Sequence, residues 1–318
     1  MKKHLRAIVA TALVIFLFST PLMAKEKVLF IPKGTMMCYW QKVTEGALKA
    51  GDELNIEMTV RGPRNENHHR AQIKIIEFGI EENYDAIVLA PNHEHIVVPV
   101  VKKAVDRGIK VILIDSNMSG HYHSSFVVSD NYAAGQQAAD HAAGLIGQKG
   151  TVALVRFAEN NTSTADRGHG FIDKLKSHYP QIKVIVSPYA GATTGSAYHT
   201  VSALIEEHPA VDLIFSINET TTFGTLRILK EKNLHQKIKH IGFDFNETVK
   251  DAVLNHEIDA AIAQNPYEIG YLGVNIAHQR VQGETVPKKL FTETVLINAE
   301  NFNTARVQNI IKQNLCGN

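Results

Sequence analysis

The amino-acid sequence predicts an α/β protein of two doubly wound parallel-sheet lobes. Three observations carry that expectation: short β-branched runs alternate with longer amphipathic stretches over nearly the whole chain, the most apolar runs lack polar alternation, and glycines punctuate the amphipathic stretches. Such alternation calls for crossover helices between parallel strands rather than for a sandwich or a bundle.

Residues 1–24 read as a secretory signal peptide: Lys2, Lys3 and Arg6 precede an apolar run from Ala7 to Phe18, and Leu22-Met23-Ala24 supplies the small-residue cleavage pattern. The run is short for a membrane span and no cysteine sits at the cleavage point, so the expected product is a soluble exported chain starting near Lys25, without a lipid anchor. The remaining length suits about two domains, each able to bury its own core. With the leader removed, 30 basic side chains face 32 acidic ones, which gives no reason to expect a nucleic-acid or anionic-membrane partner. Cys38 and Cys316 are too few for a disulfide framework. An exported compartment permits one bridge, but their separation leaves pairing open, the plainer reading being a half-buried thiol and a mobile tail.

Candidate strands run Lys27 to Ile31, Ile56 to Val60, Asp85 to Ala90, Lys110 to Ile114 and Ser125 to Ser129. A second series runs Thr151 to Val155, Ile182 to Ser187, Val211 to Ser216, Ile238 to Phe243 and Asp259 to Ala263. Ala86-Ile87-Val88-Leu89 and Val111-Ile112-Leu113-Ile114 are apolar on both faces, which marks interior strands covered by helices on either side. Val97 to Arg107 and Ala133 to Ile146 have helical spacing, and Gly108 and Gly147 stand where a left-handed residue would end each helix. The duplication is one of architecture, with no short-period repeat and no linker rich in Pro, Gly or Ser between the two series.

In open parallel sheets, ligands sit beyond the carboxyl ends of the strands, where loops and helix N-termini converge. The residues just past each candidate strand include Pro32-Lys33, Pro91-Asn92-His93, Asp115-Ser116, Asp130-Asn131, Asn218-Glu219, Asp244 and Gln264. A neutral polyol presents hydroxyls that donate and accept, and a C–H face; carboxylates, Arg, Lys or amide donors, and aromatic rings match those features. Asp115, Asp244, Arg167, Asn218, Gln264, Tyr39 and Trp40 supply that chemistry.

At these residues the chain resembles the periplasmic ribose-binding family, the type I periplasmic binding protein fold. The matching stretches are Tyr39-Trp40, Leu113-Ile114-Asp115, Ser129-Asp130-Asn131 with Gly135, Thr162-Ser163 with Arg167-Gly168 and Gly170-Phe171, Asn218-Glu219 with Gly224, Gly242-Phe243-Asp244, and Ile262-Ala263-Gln264. The resemblance implies a protein that closes two lobes around a small sugar-like solute and needs no catalytic group, cofactor or metal. It implies that Tyr39 and Trp40 pack on the sugar face, and that Asp115 grips hydroxyls from the first lobe. Arg167, Asn218 and Asp244 would do so from the second, with Gln264 at a crossover. It also implies a three-segment hinge near Ser129/Asp130, Gln264/Asn265 and Glu293/Thr294, so the lobes would comprise 25–129 with 265–293, and 130–264 with 294–318.

Where the ribose binders carry Arg after the strand-end Asp this chain has Ser116, Met37 replaces an Asn before the aromatic pair, and no Phe follows Pro188 at the family's spacing. Conversely, Phe30-Ile31-Pro32-Lys33 and Asp115-Ser116 are similar to the autoinducer-2 and rhamnose-binding branches of the fold, whose corresponding Lys reaches the ligand. Lys33 and Ser116 therefore join the candidate ligand-binding set, and the expected solute is a polyol other than ribose. The implied downstream partner is an ABC transporter permease, a chemoreceptor or the sensor of a histidine kinase, met by a monomer.

Each residue also has a plainer role. Asp115 and Asp244 could cap helices, Arg167 could pair with Asp166 or Asp173, Tyr39 and Trp40 could be core aromatics, and Lys33 a solvated loop lysine. The histidine clusters His68-His69, His93-Glu94-His95 and His121-Tyr122-His123 lack the i, i+4 spacing of zinc-protease helices, so no metal site is expected. An enzyme should show a nucleophile elbow, a phosphate loop or a metal-ligand helix, and none is present. A regulator with the same core should begin with a helix-turn-helix where the leader stands.

Overall fold

The computed structural model describes residues 25–316, and the leader expected over 1–24 lies outside them. The first sheet has six parallel strands in the order β11-β5-β4-β3-β1-β2, built from β1 (Lys27–Ile31), β2 (Glu57–Val60), β3 (Ala86–Leu89), β4 (Lys110–Ile114), β5 (Ser125–Ser129) and β11 (Lys289–Thr292). The second has the order β12-β10-β9-β8-β6-β7, from β6 (Gly150–Val155), β7 (Ile182–Val186), β8 (Leu213–Ser216), β9 (Lys239–Phe243), β10 (Ala260–Ala263) and β12 (Val295–Ile297). The two doubly wound lobes are thus observed, and the chain crosses between the sheets after β5, after β10 and between β11 and β12.

Ten of these strands fall on the expected runs with ends shifted by at most two residues. β11 and β12 were not among the runs read as strands. β12 pairs antiparallel with β10, so the second sheet is mixed at its edge rather than wholly parallel.

Alternate side chains of each inner strand enter different cores, which is why those runs are apolar on both faces. Val28, Phe30, Val88, Ile112 and Ile114 pack against α1 (Cys38–Glu53) and α9 (Pro266–Val281). Leu29, Ile31, Ile87, Leu89, Val111 and Leu113 face α2 (His69–Glu81) and α3 (Val98–Asp106). Around the second sheet, α4 (Asn131–Leu145) and α5 (Thr162–His178) cover one face. The other is covered by α6 (Thr194–Glu207) and α7 (Glu219–Glu231), with α8 (Glu247–Leu254) and α10 (Ala305–Asn314) beside them. Each such buried aliphatic side chain contributes about 1.5–3 kcal/mol. The helices read at 97–107 and 133–146 are α3 and α4, and Gly108 and Gly147 follow them with φ of +86° and +65°.

Two helix pairs cross at backbone distance. A Cβ on Gly46 or Gly270 would collide with the carbonyls of Tyr267 and Val43 across the α1/α9 crossing, and one on Gly135 or Gly170 with those of Arg167 and Tyr132 across α4/α5. These contacts seat the start of α1, carrying Tyr39 and Trp40, and the first half of α5, carrying Arg167. Cys38 and Cys316 are joined in a disulfide with Cα atoms 5.9 Å apart, so the reading of a free thiol and a mobile tail is corrected. The fold brings the start of α1 and the end of α10 together across 278 positions, a proximity that spacing does not reveal.

Candidate functional site

Asp115 and Asp244 follow β4 and β9, and both take left-handed backbone, with φ of 62° and 68°. Each amide donates to the neighbouring strand, Asp115 to the Val127 carbonyl and Asp244 to that of Ile262, both at 2.9 Å. Asp tolerates this conformation better than most residues, and it throws both carboxylates off the strand ends into the space between the lobes.

Lys33 follows β1 and is only 2 % exposed, so the solvated-lysine reading is excluded. Its Nζ lies 2.6 Å from Asp115 Oδ2 and 2.5 Å from Ser116 Oγ, and donates more weakly to Ser163 Oγ across the cleft at 3.5 Å. Tyr39 Oη donates to Asp115 Oδ1 at 2.8 Å, and its ring meets Trp40 edge-on at 4.9 Å. Trp40 in turn donates its indole N–H to Glu66 Oε1 at 2.8 Å. Burial opposes the Asp115 charge, but Lys33, Arg167 and the Tyr39 hydroxyl outweigh it and hold the carboxyl below its usual range. Burial and the same carboxylate push the Tyr39 phenol well up.

On the second lobe, Arg167 donates from Nε to Asn131 Oδ1 and from Nη1 to the Ile217 carbonyl, both at 2.8 Å, with its guanidinium 3.7 Å from the centre of the Phe243 ring. It pairs with neither Asp166 nor Asp173. Among the described residues nothing takes the protons of Arg167 Nη2. Asn218 is the N-cap of α7, its Oδ1 accepting from the Thr221 amide at 3.2 Å, which leaves its Nδ2 donor free of partners among the described residues. Asp244 Oδ1 accepts from Gln264 Nε2 at 2.6 Å, and its Oδ2 from the Glu219 amide at 2.8 Å. Burial raises the Asp244 pKa, a rise that Arg167 and these two bonds oppose. Gln264 Oε1 accepts from Ser129 Oγ at 2.8 Å, tying two crossover residues together.

Eight of the nine candidates, Lys33, Tyr39, Trp40, Asp115, Arg167, Asn218, Asp244 and Gln264, line one cleft of about 20 Å³. Ser116 stands behind it, bonded to Lys33 and, at 2.9 Å, to Ser163 of the opposite lobe. The lobes also meet at Glu94 N to the Asn160 carbonyl (3.0 Å), Asn117 N to Thr162 Oγ1 (2.8 Å) and Tyr39 N to Glu219 Oε2 (3.4 Å).

Met37, Glu66, Asn161, Ser163 and Thr164 also line the cleft outside the candidate set. The run Asn161 to Thr164 carries a helix-capping signal just before Arg167, which places it at the cleft in hindsight. Glu66 had no such signal, because it lies in a loop six positions past β2. Glu219 touches the cleft from behind, and burial together with the Asp244 charge pushes its carboxyl up to about 8. The His69, His93 and His95 rings stand edge to edge at 5.3 and 5.9 Å. Among the described residues no group of three or more His, Cys, Asp or Glu is placed to hold a metal ion.

Chemically, the arrangement offers two carboxylates from opposite lobes, two free nitrogen donors and an aromatic wall, all withdrawn from solvent. A family model described as a periplasmic binding protein domain matches residues 28–285. The chain is 24% identical over 295 residues to the ribose import binding protein of Escherichia coli K12, covering 93% of this chain and 98% of the relative. A carbohydrate transporter solute-binding protein from Agrobacterium radiobacter, solved with D-arabinose, superposes with a TM-score of 0.87 at 28% identity, over 91% of this chain and 99% of that one. The periplasmic component of a sugar transport system from Hahella chejuensis is 34% identical, with a TM-score of 0.81 over 86% and 99% of the two chains. A solute-binding protein from Agrobacterium vitis bound to α-D-tagatopyranose gives 0.86 at 27% identity, over 90% and 99%.

Proposed function

Because the chain belongs to the periplasmic binding protein domain family, we propose that it captures a small sugar or sugar-like polyol by closing its two lobes, and catalyses nothing. One observation carries this reading: Asp115 and Asp244 converge from opposite lobes on a cleft where Arg167 Nη2 and Asn218 Nδ2 remain free to donate. Hydroxyls give protons to the carboxylates and take them from the two nitrogens, while Tyr39 and Trp40 face the C–H surface. Relatives and solved neighbours that carry sugars favour this over the reading as an autoinducer-2-type signal binder.

A cleft of about 20 Å³ has room for about one water, so solute entry requires the lobes to part and Lys33 to yield part of Asp115. The moving bodies are 25–129 with 265–293, and 130–264 with the remainder, turning on the crossovers that Ser129 and Gln264 bridge. Ser116 in place of an arginine and Lys33 on the strand-end carboxylate favour a sugar other than ribose. The chain acts in the periplasm as a monomer, and hands its solute to an ABC transporter permease or presents it to a sensor. Isothermal titration with D-arabinose, D-tagatose, D-fucose, D-allose and D-ribose tests the proposal. At least one sugar other than ribose should bind with micromolar affinity or better; no binding by any sugar, or ribose as the tightest, would count against it.

A further inference from the structure

We propose that the Cys38–Cys316 disulfide is a redox-sensitive clamp that joins one lobe to the other and restrains their opening. Cys38 is the first residue of α1, which packs with α9 on the first sheet through Tyr39, Trp40, Val43, Ala47 and Ala50. Cys316 lies two positions beyond α10, which is held on the second lobe by Val307, Ile310 and Ile311 against Val249, Ala261, Val295 and Ile297. The bond is therefore a fourth covalent connection between the lobes, added to the three crossovers.

Its slack is small. Only Leu315 separates α10 from Cys316, Leu315 itself packs on the second-lobe core, and an extended residue spans at most about 3.6 Å. The start of α1 cannot withdraw far from the end of α10 while the bond is intact. The restraint acts where the lobes touch: the next residue, Tyr39, gives its amide to Glu219 Oε2 of the second lobe, and Cys38 shares one small cavity with Glu219, Asp244, Asn246 and Gln264.

A cross-link that fits the closed arrangement and limits the open one raises the closed population. Apparent affinity for a solute that binds the closed form rises with that population. Reduction by a dithiol converts the cystine to two cysteine thiols while the dithiol closes to its own disulfide, and the restraint is lost. The effect on affinity rests on the solute-binding reading of the cleft; the effect on opening does not.

The test separates the two by hydrogen exchange on the solute-free mature protein, oxidised, reduced with dithiothreitol, and as the Cys38→Ser/Cys316→Ser variant. The amides of Glu94 and Asn117 donate across the cleft and report closure, whereas that of Ile112, inside the first sheet, reports global integrity. Reduction and the double variant should each speed exchange at Glu94 and Asn117 at least threefold with Ile112 unchanged, and should weaken binding of D-arabinose or another sugar that binds by a similar factor. Equal exchange at Glu94 and Asn117 in all three forms overturns the clamp. So does equal acceleration at Ile112, which would make the bond a stabiliser of the whole fold. Failure of every sugar to bind counts against the solute reading instead, with exchange still deciding the clamp.

Discussion

Asp115 and Asp244 occupy matching places in the two lobes: each follows the strand before a crossover partner, each has left-handed backbone, and each donates its amide to the adjacent strand at 2.9 Å. Their electrostatics nevertheless differ. Lys33 sits 2.6 Å from Asp115, while Asp244 is met by the Gln264 amide and a backbone N–H, so one carboxyl is held below its ordinary pKa and the other is raised. The first lobe thus offers an ion-paired acceptor and the second a weakly compensated one.

Asp115→Asn keeps an acceptor for Tyr39 but removes the charge that a solute hydroxyl and Lys33 share. A hydrogen bond to a charged group is worth about 1.5–3 kcal/mol, so sugar affinity should fall at least tenfold, and the melting temperature should fall as well because Lys33 is left buried without its counter-charge. Asp115→Ala should destabilise the fold further, by about 3–5 kcal/mol in all, because it strands Lys33 and also takes the acceptor from Tyr39. Titration calorimetry and thermal denaturation of the two variants side by side check both halves.

Glu219 gives the protein a stability that depends on pH. Its carboxyl is pushed up to about 8 in the fold against 4.5 ordinarily, so the folded state binds the proton more tightly than the unfolded chain. That contribution is complete below the ordinary value and declines as pH rises from about 4.5 through 8. Glu219→Gln should flatten this part of the profile and make the protein more stable than wild type at pH 9, measured by urea denaturation across the range. A profile identical to wild type would show that Glu219 does not titrate there.

Gly135→Ala places a methyl group against the Arg167 carbonyl at the α4/α5 crossing. The helices must separate, at a cost of about 1–3 kcal/mol, and Arg167 shifts with α5. The variant should show both a lower urea midpoint and weaker sugar binding, whereas Gly144→Ala, also in α4 but with nothing within 4 Å, should leave sugar binding unchanged and leave the midpoint equal or slightly higher.

Most of the lobes was readable because β-branched runs and helical spacing are local signals. The strand-end rule then picked out Lys33, Asp115, Ser116, Asn218, Asp244 and Gln264 before any side chain was positioned. What escaped depends on tertiary placement. β11 and β12 are short and partly exposed, so Lys289 to Thr292 carries no continuous apolar run. Glu66 lines the cleft from a loop past β2 and bonds Trp40 there, and the pairing of Cys38 with Cys316 needs α10 to fold back on the second lobe. The capping reading of Asp115 and Asp244 does not hold, since the helix N-caps nearby are Asn218 and Asn246; Asn218 caps α7 through Oδ1 while its Nδ2 has no partner among the described residues.

Trp40 is the only tryptophan, is 2 % exposed on the cleft wall, and lies 5.7 Å from the Lys33 ammonium and in a hydrogen bond to Glu66. A solute that displaces Lys33 from Asp115 and favours the closed lobes must change the polarity around the indole. The same solute must raise the melting temperature, because it binds only the folded state. The most direct measurement is therefore a titration of the mature protein with a sugar panel, reading Trp40 emission and melting temperature together. One or a few sugars should give a saturable emission change and a matching thermal shift, both moved to at least tenfold higher sugar concentration in Asp115→Asn. A sugar that stabilises the protein strongly with Trp40 emission untouched, or a panel in which no sugar does either, would contradict the solute-binding reading of the cleft.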